Sequence, residues 1–442
     1  MSADFAVHIG TGDSRFFETP RRNAIGAGVA AVAIGDLTNS GVAEIVTANA
    51  ASGSLTVLSR LDQESFISRE DLTDGIVDPL DVQIVAVNGD EFADVIVADR
   101  FLDSMLILAG NGAASFDAPV MLPACDAPTR LDFGDVNGDG SDDIVVACFA
   151  SDDIAVLLSD NAGGFTAATT FAGVGEPQDL LLRDIDGDTN LDVVLADSTD
   201  NNPAIRIAFG AGDGTFSAPV LAAPGAVIAA LDVGDINNDG ALDLAIADLG
   251  QGVRIALGLG NGSFGAPFAA PGSNIPVAVG LVDFDGDGFD DVVSLQAGGG
   301  ERSRATSVAI SNGNGSFGRE RRFATATGSN AGFAEPGIPR TLNVADVDND
   351  GRQDVVVGAA AAEFDGSLSV NFNRAEGIAQ VDTDGDGVVD AIDNCPNLMN
   401  ADQRDTNGDG FGNRCDPDLN NDNIVNVIDL GILRSFFFNE PG

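Results

Sequence analysis

Residues Asp135 to Ala147 read DVNGDGSDDIVVA. Acid or amide side chains occupy the first, third and fifth places, Gly140 the sixth and Asp143 the ninth, and an apolar β-branched run follows. That order describes a tight turn opening directly into a strand. The pattern D-x-[DN]-x-D-G-x-x-D returns at Asp184 (DIDGDTNLDVVLA), Asp235 (DINNDGALDLAIA), Asp283 (DFDGDGFDDVVSL) and Asp346 (DVDNDGRQDVVVG), with weaker copies at Asp36 and Ala86. The starts lie 50, 49, 49, 51, 48 and 63 residues apart, so a tandem repeat governs the architecture.

A second marker keeps step. Phe16, Phe66, Phe116, Phe165, Phe216 and Phe264 precede their loop starts by 19 or 20 residues, and Phe317 precedes its own by 29. Between the markers lie further β-type runs such as Ser54 to Leu58, Ser104 to Leu108, Ile154 to Leu158, Ala204 to Ala208 and Val253 to Leu257, each ending near Gly, Asn or Asp. About four short strands per ~49-residue unit, with no helical period, is the pattern of propeller blades. The expected fold is therefore all-β: a seven-bladed β-propeller over residues 5–376, its ring closed by Phe5 to Gly10 or Leu368 to Asn373. A small tail rich in calcium loops, disulfide-bonded and ending in a short helix, is expected to follow.

The repeats resemble the FG-GAP repeats of integrin α-subunit propellers and their bacterial relatives, through segments such as GAGDGTFSAPV (Gly210 to Val220) and GNGSFGAPF (Gly260 to Phe268). The stretch DTDGDGVVDAIDNCPNLMNADQRDTNGDGFGNRCDPD from Asp382 resembles a thrombospondin type 3 repeat, which assigns residues 377–417 to a calcium-binding stalk. The last segment, DLNNDNIVNVIDLGILRSFF from Asp418, resembles one repeat of a type I dockerin, giving residues 418–442 a calcium loop and a helix from Val427. Cohesin-binding dockerins carry two such repeats, so that partner is not carried over.

Carboxylate and amide oxygens at alternate positions of such a loop converge on one hard cation, and oxygen-only ligation points to calcium. The candidate ligands in the propeller are Asp135, Asn137, Asp139 and Asp143; Asp184, Asp186, Asp188 and Asp192; Asp235, Asn237, Asp239 and Asp243; Asp283, Asp285, Asp287 and Asp291; and Asp346, Asp348, Asp350 and Asp354. In the tail they are Asp382, Asp384, Asp386, Asp390 and Asp393; Asp405, Asn407, Asp409 and Asp416; and Asp418, Asn420, Asp422, Asn426 and Asp429. The first loop offers Asp36, Thr38, Ser40 and Glu44, and the second has Ala86 where a ligand should stand, so both are expected to bind weakly or not at all. The rival reading of every loop is an Asx-rich turn without a metal.

Composition narrows the chemistry. Asp and Glu number 69 against 21 basic residues, for a formal charge of −48, and every basic residue is Arg, which disfavours nucleic acid and anionic membranes as partners. With 44% hydrophobic residues the chain can still build a core. Tyr, Trp and Lys are absent and His8 is the single histidine, which removes most acid–base, Schiff-base and sugar-stacking chemistry. Met1 to Thr19 lacks the pattern of a signal peptide, yet disulfides and calcium loops both point outside the cytoplasm. A leader is thus expected to have been cleaved or to lie outside this sequence. Four cysteines allow three pairings; Cys125 with Cys148, flanking the third loop, is preferred over free thiols, and the thrombospondin resemblance implies Cys395 with Cys415.

Two G-x-G-x-x-G matches, Gly260 to Gly265 and Gly313 to Gly318, are read as blade turns, and the D-x-S-x-S at Asp365, Ser367 and Ser369 as coincidence. The long step after Asp283 holds Arg302, Arg304, Arg319, Arg321, Arg322 and Arg340; they are read as braces for acidic loops or as a site for an acidic partner or glycan, with Arg319, Arg321 and Arg322 the best candidates. The expected role is a secreted, bacterial-type adhesion or ligand-binding protein without catalytic residues. A calcium-dependent polysaccharide lyase or hydrolase and a structural spacer are the alternatives.

Overall fold

The computed structural model describes residues 21–371 apart from 63–64, 89, 91, 161–163, 174, 199–202, 225–226, 273–274, 297–304, 319, 325–341, 348–351 and 360–365. The chain divides into two compact units, Met1–Asn373 and Arg374–Gly442, and the described residues belong to the first.

Each repeat folds into an antiparallel sheet of four successive strands, called A to D from the inside outward. In blade three these are Pro128–Gly134, Asp143–Cys148, Asp153–Leu157 and Thr169–Ala172. The A strands of blades one to six are Val29–Gly35, Pro79–Val85, Pro128–Gly134, Pro177–Arg183, Ile228–Gly234 and Pro276–Val282. Each packs against the A strand of the next blade.

The expected fold class needs correction. Six blades, not seven, are built from consecutive strands of the chain. The remaining four-stranded sheet is a composite: Leu342–Ala345, Asp354–Ala359 and Gly366–Asn371 are joined at the outer edge by Arg21–Ile25 from the other end of the propeller. The physical reason is closure, since a strand shared between the two ends ties the first blade to the last sheet through backbone hydrogen bonds. Arg21–Ile25 therefore does what was expected of Phe5 to Gly10, a segment outside the described residues. No helix occurs among the described residues, and the expected C-terminal helix lies outside them.

Apolar side chains fill the seams between neighbouring sheets. Val145, Val156, Leu180 and Val193 pack between blades three and four, and Ile25, Val29, Val32 and Val356 close the seam between the composite sheet and blade one. The Phe markers serve this packing. Phe116, Phe165, Phe216, Phe264 and Phe317 each bridge back to the start of their C–D turn, and Phe216 meets Phe171 edge-on at 5.9 Å. The matches at Gly260 to Gly265 and Gly313 to Gly318 lie in such turns, while Ser367 and Ser369 lie in a strand paired on both sides.

Strand A is an edge, and its free backbone groups need partners away from any sheet. Acids of the preceding blade supply them. Asp81 accepts the Leu131 N–H (3.1 Å), Asp132 that of Leu182 (2.9 Å), Asp179 that of Leu231 (3.1 Å) and Asp232 that of Leu281 (2.8 Å). Arg130, 1% exposed, joins three blades: its Nη1 donates to the carbonyl oxygens of Leu80 (3.3 Å) and Thr129 (2.8 Å), and its Nε lies 3.5 Å from Asp179 Oδ1. Cys125, in the connection between blades two and three, forms a disulfide with Cys148 at the end of strand B, while Cys395 and Cys415 lie outside the described residues.

Removing one partner of a buried ion pair strands the other charge, at a cost of about 3–5 kcal/mol. Arg130→Met should destabilise by about that much in urea unfolding, and Arg130→Met with Asp179→Asn by less than the sum of the single changes. Additive effects would show that the two side chains do not act as a pair.

Candidate metal centres

The A–B loops and C–D turns emerge on one face of the propeller, because the four strands of each blade alternate in direction. The loop backbone is wound by its own acids. In blade three the Asp135 carboxylate accepts N–H groups from Gly138 (2.7 Å), Asp139 (3.1 Å) and Gly140 (2.8 Å), the Asn137 oxygen accepts from Asp139 (2.9 Å) and Asp139 from Ser141 (3.0 Å). The same ladder recurs from Asp184 and Asp283. These bonds gather the carboxylates of the first, third and fifth positions.

In blade four Asp184, Asp186 and Asp188, and in blade six Asp283, Asp285 and Asp287, bring one carboxylate oxygen each within 4.8 Å of the others. Three like charges at that separation repel strongly unless a cation or protons neutralise them. The donor set is all oxygen and half exposed, which suits a hard divalent cation. Blades three and five carry Asn137 and Asn237 at the third position; the Asn237 amide nitrogen donates to Asp239 at 3.0 Å.

The ninth residue does something the sequence reading did not anticipate. Asp143 is buried, one oxygen accepting the Val136 N–H of its own loop (3.1 Å), the other the Ser159 N–H that opens the C–D turn (2.8 Å). Asp94, Asp192, Asp243 and Asp291 repeat both bonds, to Val87 and Gly110, Ile185 and Gly210, Ile236 and Gly258, and Phe284 and Ser311. Asp354 and Glu44 make the bond to their own loop. The ninth position is thus first a clamp between loop and turn, and it lies outside both acidic triads. The signal was present in sequence, since Asp94 persists in the second loop, where the first position has become Ala86.

Burial, reinforced by neighbouring acids, pushes these carboxyls upward: Asp243 to about 6 and Asp291 to about 8, with Asp143 and Asp192 raised in the same sense. Asp285 is raised to about 6 by burial and then by Asp287 and Asp283, against a lowering influence from Arg321.

The two weak loops close on themselves. In the first, the Thr38 hydroxyl lies 3.3 Å from Asp36, 2.9 Å from Ser40 and 3.4 Å from Glu44, occupying with one O–H the place a cation would take. In the second, the Asn88 amide nitrogen donates to Asp90 (2.9 Å) and Asp94 (3.2 Å). Of the last propeller loop, Asp346 and Asp354 are described, while Asp348 and Asp350 lie outside the described residues, as do all the tail ligands from Asp382 to Asp429. Arg322 is held by Glu320 at 2.7 and 3.1 Å; Arg302, Arg304, Arg319 and Arg340 lie outside the described residues. Sequence reasoning also missed the inner-strand group Asp81, Arg130, Asp132, Asp179 and Asp232, whose signal is charge inside otherwise apolar seven-residue strands.

The FG-GAP-like repeat family matches residues 87–146, 135–195, 184–246, 235–294 and 283–357, and the chain belongs to that family. No curated protein matches it. Among solved structures, BBS1N in complex with ARL6DN is similar at 12% identity and a TM-score of 0.53, covering 81% of this chain and 97% of that one, a likeness of fold alone. An Agrocybe aegerita lectin solved for its specific recognition of non-reducing terminal N-acetylglucosamine is similar at 19% identity and a TM-score of 0.49, over 67% of this chain and 80% of that one. A Lactobacillus plantarum protein is similar at 12% identity and a TM-score of 0.48, over 66% and 84% of the two chains.

A carboxyl raised in the folded state holds its proton where the unfolded chain has already lost it. Its stabilising contribution is complete below the ordinary value of 3.8 and is lost as pH rises through the folded value, about 6 for Asp243 and Asp285 and about 8 for Asp291. In chelator, the melting temperature should therefore fall between pH 4 and 8, and a divalent cation should flatten that slope. A chelated protein equally stable across the window would contradict the burial of these charges.

Thr189 takes the loop place of Gly140, Gly240 and Gly288, and at φ 76 it is a β-branched residue in the left-handed region. Thr189→Gly should raise stability by about 1 kcal/mol, measured by urea unfolding, with the bound-metal count unchanged; a loss of stability would mean that the Thr189 side chain is itself needed.

Proposed function

We propose that this chain is a calcium-loaded propeller acting outside the cytoplasm as a ligand-binding or adhesion scaffold, without catalysis. The observation that carries the reading is the convergence of three carboxylates in blade four and again in blade six, in loops spaced by the repeat. Calcium is favoured over magnesium because a half-exposed loop of converging carboxylates makes a large and adaptable oxygen cage. The Cys125–Cys148 disulfide supports an oxidising compartment. Among the described residues no helix is long and apolar enough to cross a membrane. The tail, with its thrombospondin-like and dockerin-like loops, is proposed as a calcium-binding extension.

A binder is favoured over a lyase or hydrolase because the chain lacks Tyr, Trp and Lys, and the clustered carboxylates of the propeller lie in repeated loops wound on their own backbone. An acidic partner at Arg319, Arg321 and Arg322 would have to displace Glu320 from Arg322 and relieve Asp285 of Arg321, so the described arginines fit bracing of the blade-six loop better than capture.

One experiment has two arms. Melting followed in chelator and in millimolar calcium should shift upward by many degrees with metal, since calcium binds only the folded loops. Asp287→Ala should lower the bound calcium by about one ion, and Asp90→Ala should not. In the second arm, glycans and matrix proteins are screened with and without calcium. An unchanged melting curve would end the calcium reading, and a chain that captures nothing in either condition would favour the spacer.

A further inference from the structure

The loops of blades five and six are joined by two links. Asp290, the residue before the clamp of blade six, accepts the Asp235 N–H at 2.8 Å and donates its own N–H to the Asp235 carbonyl oxygen at 3.3 Å. Asp235 is the first residue of the blade-five loop. The second link runs through the clamp: Asp291 accepts the Ser311 N–H (2.7 Å), and the Ser311 hydroxyl donates to the carbonyl oxygen of Ile236 (2.8 Å), the second residue of that same loop. Approach is this close because residue 234 is glycine; a Cβ there would collide with Asp290 Oδ2.

The seam between blades three and four lacks these side-chain links; there the Val136 carbonyl oxygen accepts the Gly214 N–H of the blade-four turn at 2.9 Å. There Leu191 stands where Asp290 does and packs against Gly134, and Gly210 stands where Ser311 does. The Asp290 and Ser311 side-chain links therefore distinguish the five–six seam from the three–four seam and are not a requirement of the blade fold.

We propose that Asp290 and Ser311 are positioning residues that couple the two cation sites, so that filling the blade-six loop orders Asp235 and Ile236 and tightens the blade-five site, and the reverse. This rests on the calcium reading above. A cation at Asp283, Asp285 and Asp287 fixes the chain running into Asp290 and Asp291; each link then transmits that order to the backbone carrying Asp235. Linkage requires the effect to be equal in both directions.

The test follows backbone hydrogen exchange in the full chain, in peptides spanning 235–243 and 283–291, across a calcium titration. Asp287→Ala should raise the calcium midpoint of the 235–243 peptide, or Asp239→Ala that of the 283–291 peptide, by about fivefold or more, the shift appearing in whichever loop fills second. The double variant D290L/S311G, which imports the residues of the three–four seam, should abolish the shift, whereas D290N, keeping an acceptor oxygen, should retain it. Midpoints unmoved in both directions, or shifts that persist in D290L/S311G, overturn the coupling, and with calcium still protecting both loops the calcium reading stands. No calcium response in either wild-type loop overturns both. Should D290L/S311G not fold, D290L and S311G singly take its place, a reduced shift in either supporting the coupling and unchanged shifts in both overturning it.

Discussion

One buried carboxylate per blade holds this molecule together at its most crowded edge. The residue that opens strand B must accept two N–H groups at once, one from the A–B loop and one from the C–D turn, as Asp143 does with Val136 and Ser159. Asparagine would face one of them with its carbonyl oxygen and the other with its NH2 group, a donor against a donor. The position is therefore acidic in every repeat, Glu44 in the first blade included. Placing an acid there, beneath a loop that already carries up to three more, creates the electrostatic problem that the rest of the loop must solve. The loops of blades one and two carry fewer acids, and Thr38 or Asn88 places an O–H or N–H donor among those that remain. Blades four and six keep the charge, and their geometry makes sense with a cation between the acids.

The same logic recurs toward the axis. An inner strand cannot complete its ladder with another strand, because the next A strand belongs to a separate sheet. Acids projecting from one A strand to the backbone of the next replace the missing ladder, and Arg130 offsets part of their charge. Buried charge is costly to leave unpaired, so these residues fix which strand faces which and at what register, as apolar packing alone would not. The apolar seams supply most of the stabilisation, and the polar inner edge supplies alignment.

The sequence made the blades visible because two independent markers, the acidic loop and the Phe, share one period, and each is tied to a turn whose geometry demands its residues. Closure was harder to read. Arg21–Ile25 (RRNAI) has two arginines and an asparagine in five residues, so its affinity for the last sheet rests on backbone pairing rather than on apolar alternation, and only Phe5 to Gly10 and Leu368 to Asn373 read as closing strands. The inner-edge acids were invisible for a related reason: Asp81, Asp132, Asp179 and Asp232 do not fall at one repeat position but alternate between two, five and three residues ahead of the loop. The acidic loops were legible in the sequence, but the division of labour within them was not. Asp139 and Asp143 read alike as ligands, and only burial distinguishes the exposed one that can face a cation from the one clamped beneath it.

That division has a consequence for how metal affects the fold. A cation held only by exposed loop oxygens would stiffen the loop and nothing else. Here the residue below the acidic triad also grips the C–D turn, whose Phe is packed into the seam with the preceding blade, as Phe216 is against Phe171. Neutralising the triad weakens the repulsion that raises the clamp's carboxyl, and an ionised clamp accepts its two N–H groups more strongly. Cation binding at the face is therefore expected to tighten the seams beneath it. A chain with a formal charge of −48 would gain rigidity from the cations that its charge attracts.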